Sequence, residues 1–257
     1  MHLQLNDKVA IITGASRGIG RSIAHILAAE GMRLVLVARS HDQLNNVAEL
    51  SPVETLVVAT DLRDPDAPGA VVAAAMARFG QIDLLVNNAG ATKRGVFLAL
   101  PDTDWMDGFA LKFFGAMRLC RAAWPHLLQT QGSIVNIIGI GGRTGSDEFA
   151  IGGSVNAALL NLTKSLADRG VRDGIRVNAI NPGAILTDRL LNRVRSFALE
   201  HGIDEAAAPA LMAQSFGVAR FGVPEEIAHM VAFLASPLGG FCQGSIIDID
   251  GGQTRTL

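Results

Sequence analysis

Glycines 14, 18 and 20 stand in the stretch Thr13-Gly14-Ala15-Ser16-Arg17-Gly18-Ile19-Gly20, directly behind an apolar run. Glycine at this spacing lets the backbone turn tightly and come close to a pyrophosphate. A helix opening straight after it presents unpaired amides and the positive end of its dipole. Alone the pattern is weak, but between a strand and a helix it reads as a dinucleotide-binding loop. The next charges are cationic: Arg17 lies inside the loop, and Arg39 follows the second apolar run, which ends at Ala38. An acidic residue at that strand end accepts hydrogen bonds from a free ribose 2′-hydroxyl, whereas arginine attracts a 2′-phosphate. The two arginines therefore favour the 2′-phosphorylated dinucleotide, with Asp42 as the residue that would serve the other form.

Such a loop needs strands and helices in alternation, and the chain supplies them. Short β-branched or apolar runs occur at Val9 to Thr13, Leu34 to Ala38, Thr55 to Thr60, Ile82 to Asn87, Ser133 to Ile138, Ile175 to Ile180 and Ser245 to Ile249. Continuous apolar runs of this length fit parallel strands covered on both faces. Segments of helical period lie between them, at Ile19 to Glu30, His41 to Glu49, Asp66 to Phe79, Asp102 to Leu128, Phe149 to Arg169 and Pro224 to Ala235. The expected fold is α/β, a single domain built on a doubly wound parallel sheet of about seven strands, the Rossmann arrangement. Ligands of such sheets sit at the carboxyl ends of the strands. Residues 186–217, with Pro209 inside them, form the one long irregular candidate and are expected to make a lid.

Composition narrows the function classes. The chain has 257 residues, 49% of them hydrophobic and 18% charged, enough for a well-buried core. A net charge of -2 with scattered arginines gives no footprint for nucleic acid. No uninterrupted apolar stretch is long enough for a membrane span. Cys120 and Cys242 are far apart, which fits reduced thiols rather than a disulfide framework, and the six histidines form no metal-ligand pattern. A soluble, cytoplasmic protein acting on a small molecule, with no metal, is the expectation.

Further marks accompany the glycine loop: Asp61-Leu62 after the third strand, Asn87-Asn88-Ala89-Gly90 after the fourth, and Asn181-Pro182-Gly183 with Thr187 after the sixth. Arg220-Phe221-Gly222-Val223-Pro224-Glu225-Glu226-Ile227 and Asp250-Gly251-Gly252 follow near the end. With these motifs in this order the chain resembles the short-chain dehydrogenase/reductase family across essentially its whole length. The resemblance implies a nicotinamide cofactor, NADP(H) before NAD(H). It would lie along Gly14, Ser16, Arg17, Gly18, Ile19 and Gly20, with Arg39 at the ribose, Asp61 and Leu62 at the adenine, and Asn88, Ala89 and Gly90 along its length. Pro182, Gly183, Ile185 and Thr187 would meet its far end. The family also implies a homo-oligomer, a tetramer or a dimer.

The family's proton donor is a tyrosine, made more acidic by a lysine one helical turn further on, with a serine and an asparagine completing the site. This chain contains no tyrosine. Its neighbours locate each position: Ala157-Ala158-Leu159 and Leu162 to Ala167 place Asn156 at the lysine and Gly152 at the tyrosine. Gly132 to Ile137 place Gly139 at the serine, and Trp105 and Gly115 bracket Lys112 at the asparagine. Two glycines would leave extra space beside the nicotinamide. Lys112, with a flexible stem and a tunable pKa, is the leading replacement as proton donor or electrostatic clamp. Arg143, Asp147, Glu148 and Ser154 are others, though helix capping explains them more simply. The resemblance thus implies an NADP(H)-binding oxidoreductase of altered mechanism, acting on an unknown small molecule such as a conjugated alkene. A cofactor-binding pseudoenzyme or regulatory subunit is the alternative, and a cofactor-assisted lyase or dehalogenase a third.

Overall fold

The computed structural model of the chain describes residues 2–255. The first strand, β1 (Val9–Thr13), leads into α1 (Gly18–Ala29), followed by β2 (Arg33–Ala38), α2 (His41–Glu49), β3 (Thr55–Ala59), α3 (Ala67–Phe79) and β4 (Leu84–Asn87). The second half runs α4 (Asp102–Gly108), α5 (Gly115–Thr130), β5 (Ser133–Ile137), α6 (Ala150–Asp173), β6 (Arg176–Pro182), α7 (Asp188–His201), α8 (Ala208–Ser215), α9 (Pro224–Ala235) and β7 (Ile246–Ile249). One seven-stranded sheet results, in the order β3-β2-β1-β4-β5-β6-β7. Every pairing is parallel.

The sheet is covered on both faces because its central strands are apolar on both. Ala10 and Ile12 of β1 and Leu84 and Val86 of β4 pack with Ile23 and Leu27 of α1 and Ile227 and Val231 of α9. Their neighbours Val9, Ile11 and Leu85 face the other way, against Val71 and Ala75 of α3 and Leu119 and Leu127 of α5. The two-residue period of a strand thus divides each run between two cores. Strand order reverses between β1 and β4, so the crevice outside their carboxyl ends is where a ligand site forms. Cys120 is buried and unpaired, its thiol pushed up to about 12 by burial. Among the described residues no helix is long and apolar enough to cross a membrane.

One expectation needs refinement and one correction. Asp102 to Leu128 is helical throughout but not α-helical throughout: α4 and α5 are joined without a break by a π-helical stretch, Phe109–Phe114, which contains Lys112. Inserted turns of this kind re-aim side chains and often sit at functional sites. Residues 186–217 are not irregular either, since they hold α7 and α8 with an apolar cluster of their own, Leu190, Val194, Ala198, Ala208, Met212 and Phe221 among its members. Pro209 misled because it lies in the first turn of α8, where a missing amide hydrogen costs nothing.

Candidate active site

Thr13 fastens the glycine loop to the end of β4. Its hydroxyl donates to Val86 O at 3.2 Å and accepts from the amides of Asn88 and Ala89, both at 2.9 Å. Asn88 Nδ2 donates back to Thr13 O at 2.9 Å, so Asn88 braces the loop as well as lining the crevice. A side chain at Gly20 would collide with Gly14 O. Gly18, at φ +55°, faces Thr187, and a Cβ there would approach Thr187 Cγ2 to 3.2 Å. Two helix N-termini, those of α1 and α7, therefore meet across one narrow gap. The first turn of α1 carries no carboxylate, and neither Arg17 nor Thr187 caps its helix with its side chain. Free amides, positive dipole ends and a gap that a Cβ would narrow fit a pyrophosphate.

The remaining cofactor-side residues are placed as follows. Arg17 and Arg39 are both exposed at the rim, beside Ser16 and after β2. Asp61 is partly exposed and pairs with Arg63 at 3.0 Å, which also bonds Asp107, while Leu62 is buried behind it. Pro182 ends β6, Gly183 packs against Asp250, and Ile185 bridges to Gly222. Arg220 and Glu226, paired at 2.7 Å, hold that bridge from the start of α9, where Glu226 accepts from the Val223 amide.

Beyond the glycine loop the structure brings Lys112, Gly139, Gly152 and Asn156 together. The stem of Lys112 lies on Gly90, where a Cβ would fall 2.9 Å from Lys112 Cδ. Its Nζ donates to Ile138 O at 2.5 Å and to Asn156 Oδ1 at 2.6 Å. Asn156 Nδ2 in turn reaches Gly139 O at 3.4 Å. Lys112 as a whole is half-buried. Burial of its ammonium, with the Arg189 charge second, lowers its pKa from 10.5 to about 7. Gly139 has φ +123°, a backbone conformation that favours glycine, and its amide donates to Asn181 Oδ1 at 3.3 Å. Behind the site, Asn87, Asn136 and Thr163 form a buried relay of hydrogen bonds at 2.9 Å that locks α6 to β4 and β5.

The expected space at Gly152 does not exist. Phe149 stands there: a Cβ on Gly152 would collide with its ring, and one on Gly141 would come within 2.8 Å of it. Arg94 stacks on that ring with its guanidinium 4.2 Å from the centroid. Sequence reasoning missed both residues. The available signal was the pair Gly152-Gly153 inside a helix, where glycine costs about 1 kcal/mol relative to alanine and so marks a close approach. Of the other replacement candidates, Asp147, Glu148 and Ser154 are exposed, and Arg143 is held by Asp248 at 2.9 Å.

The chain is similar to known oxidoreductases over nearly its whole length. A family model described as enoyl-(acyl carrier protein) reductase matches residues 14–254. An uncharacterized oxidoreductase of Mycobacterium tuberculosis is 36% identical over 98% of this chain and 94% of its own length. The 3-oxoacyl-[acyl-carrier-protein] reductase of Staphylococcus aureus is 34% identical over 96% of this chain and 98% of its own. Among solved structures, L-sorbose reductase from Gluconobacter frateurii, complexed with NADPH and L-sorbose, superposes with a TM-score of 0.95 at 35% identity over the full length of both chains. YwfH, an NADPH-dependent reductase involved in bacilysin biosynthesis, gives 0.90 at 28% identity, covering 98% of this chain and all of its own.

Proposed function

The chain belongs to the short-chain dehydrogenase/reductase family of oxidoreductases, and on that premise we propose that it reduces a carbonyl compound with NADP(H), using Lys112 in place of the usual tyrosine. The observation that carries the reading is the contact between Lys112 and Asn156 at 2.6 Å. In the family pattern the asparagine belongs to the long helix before β5 and the lysine to α6. Here the two residue types are exchanged, so an ammonium and an amide still meet in the same place.

In this reading Gly14 to Gly20 and Thr187 hold the pyrophosphate, Asn88 to Gly90 flank the cofactor, and Arg17 and Arg39 hold a 2′-phosphate. NADPH bound there supplies a hydride for the carbonyl carbon. An ammonium has three protons to donate. Lys112 commits two of them, to Ile138 O and Asn156 Oδ1, which leaves one for the substrate oxygen. As hydride adds to carbon, the carbonyl π pair moves to oxygen and takes that proton. The neutral amine keeps its two N–H bonds and its lone pair collects a new proton from solvent. A pKa of about 7 suits such a group, since it is then both a competent acid and readily reprotonated near neutral pH. Gly139 contributes no hydroxyl, so Lys112 carries the electrostatic stabilisation of the oxygen alone. On this reading residues 186–217, tied to the cleft by Thr187 at Gly18 and Arg189 at Gly90 O, act as the lid.

The test is NADPH oxidation against a panel of ketones, aldehydes and enones, with the Lys112→Met variant beside the native chain. The expected outcome is carbonyl reduction with a preference for NADPH over NADH, and a loss of about 10²- to 10⁴-fold in kcat/KM for the variant at unchanged NADPH affinity. Full activity in Lys112→Met, or reduction confined to carbon–carbon double bonds, overturns the reading.

A further inference from the structure

The cations around the cleft are of two kinds. Lys93 is paired with Asp104 at 2.9 Å, Arg63 with Asp61 and Asp107, and Arg143 with Asp248. Arg17, Arg94, Arg189 and Arg193 instead have no carboxylate at ion-pair distance among the described residues, and they neighbour one another. The Arg17 charge depresses the pKa of Arg189 after the effect of burial, and the charges of Arg193 and Arg189 do the same to Arg94. Glu148, on the exposed loop, acts against them and outweighs Arg189, but it forms no ion pair with Arg94.

Such a file of like charges is unfavourable unless something holds it in place. Arg189 is tied to Gly90 O at 3.2 Å. Arg94 Cζ stands over the Phe149 ring 4.2 Å from its centroid, and Arg193 Cζ over Phe216 at 5.7 Å. A stacked guanidinium keeps its N–H edge free, in the fork that matches a carboxylate or a phosphate. The file begins in the glycine loop with Arg17 and ends on the ring that occupies the Gly152 position. Cofactor phosphates would neutralise its beginning, and at its end neither Arg94 nor Arg193 has an ion pair among the described residues.

We propose that the substrate carries an anionic group, a carboxylate or a phosphate, which Arg94 and Arg193 bind at the end of the cleft beside Phe149. This rests on the reading of the site as a carbonyl reductase, since it places the anion on the same molecule that Lys112 protonates. Charge-assisted, bidentate recognition makes the anionic member of a matched substrate pair better by about 10-fold or more in kcat/KM.

The test uses matched pairs, a 3-oxo acid with its methyl ester and a ketose phosphate with the free ketose, assayed with the full-length protein and NADPH. Calorimetric titration of the same anions into the NADP⁺-saturated protein gives a readout independent of turnover. The expected result is an anion-to-neutral ratio of about 10 or more for one pair, which identifies carboxylate or phosphate, falling toward 1 in Arg94→Ala and in Arg193→Ala. Arg195→Ala, on the same helix but outside the file, keeps the ratio. Equal preference within both pairs, or a ratio that survives both substitutions, overturns the proposal. If no pair is turned over, the reductase reading fails, while calorimetric binding of one anion that disappears in Arg94→Ala still supports the anion site. No binding in the native protein sinks it.

Discussion

A buried lysine is where residue chemistry and stability meet in this chain. Between a folded pKa of about 7 and its ordinary value of 10.5, Lys112 binds fewer protons folded than unfolded. Stability therefore rises with pH across that window, and the cost of burying the ammonium is carried in full only below about pH 7. Replacing Lys112 by methionine removes that dependence. The variant's stability relative to the native chain is expected to be highest at or below pH 7 and to fall toward pH 10, by at most about 1.4 kcal/mol per unit. Denaturant melts at several pH values check this, and a difference that does not change with pH means Lys112 is not buried as a titrating group. The same pKa gives a kinetic expectation: kcat/KM for reduction falls as pH rises through about 7, because the donor form is lost. Which residue holds this place was legible in the sequence. Its hydrogen bonds were not, since Ile138 O, just after β5, and Asn156 of α6 reach it across separations that no spacing rule covers.

At the scale of elements, α6 and the loop before it form one unit with a single tolerated packing. Phe149 fills the place a side chain at Gly152 would take, and Arg94 stands over the same ring. Gly152→Ala gains helix propensity of about 1 kcal/mol but must push the ring aside, at a cost of about 1–3 kcal/mol. A net loss of roughly 1 kcal/mol is expected in the native background. With Phe149→Ala already present the sign reverses, because only the propensity gain remains. Thermal or denaturant melts of the double-mutant cycle measure this coupling, and strict additivity would show that ring and glycine do not compete. It also follows that restoring a tyrosine at Gly152 alone cannot restore the family's usual site, since Phe149 is in the way. The motifs revealed the strands and most helices because apolar runs and caps are local. The π-helical stretch at Phe109–Phe114 left no such mark, and its Lys112 is held by contacts with Gly90 and α6 that are distant in sequence.

The whole molecule divides by core. Two apolar clusters clasp the sheet between helices, a third gathers around α7 and α8, and a small fourth links α5, α6 and β6. That third unit joins the rest through the Ile185–Gly222 bridge and lays Thr187 against Gly18 across the gap where a pyrophosphate fits. Regions with a small separate core open at lower free energy than the sheet they rest on. A ligand that contacts both sides of the gap favours the closed arrangement by mass action, by about 2.7 kcal/mol at a hundred times its Kd. Amides of α7 and α8 are therefore expected to exchange hydrogen faster than those of β1, β4 and β5 in the free protein, and to slow selectively when NADPH is added. Exchange in α2, which lies outside the gap, serves as the reference. Equal protection of α7 and β4 without cofactor would mean the segment is part of the rigid body. Slowing everywhere alike would mean that the cofactor stabilises the fold without bridging the cleft.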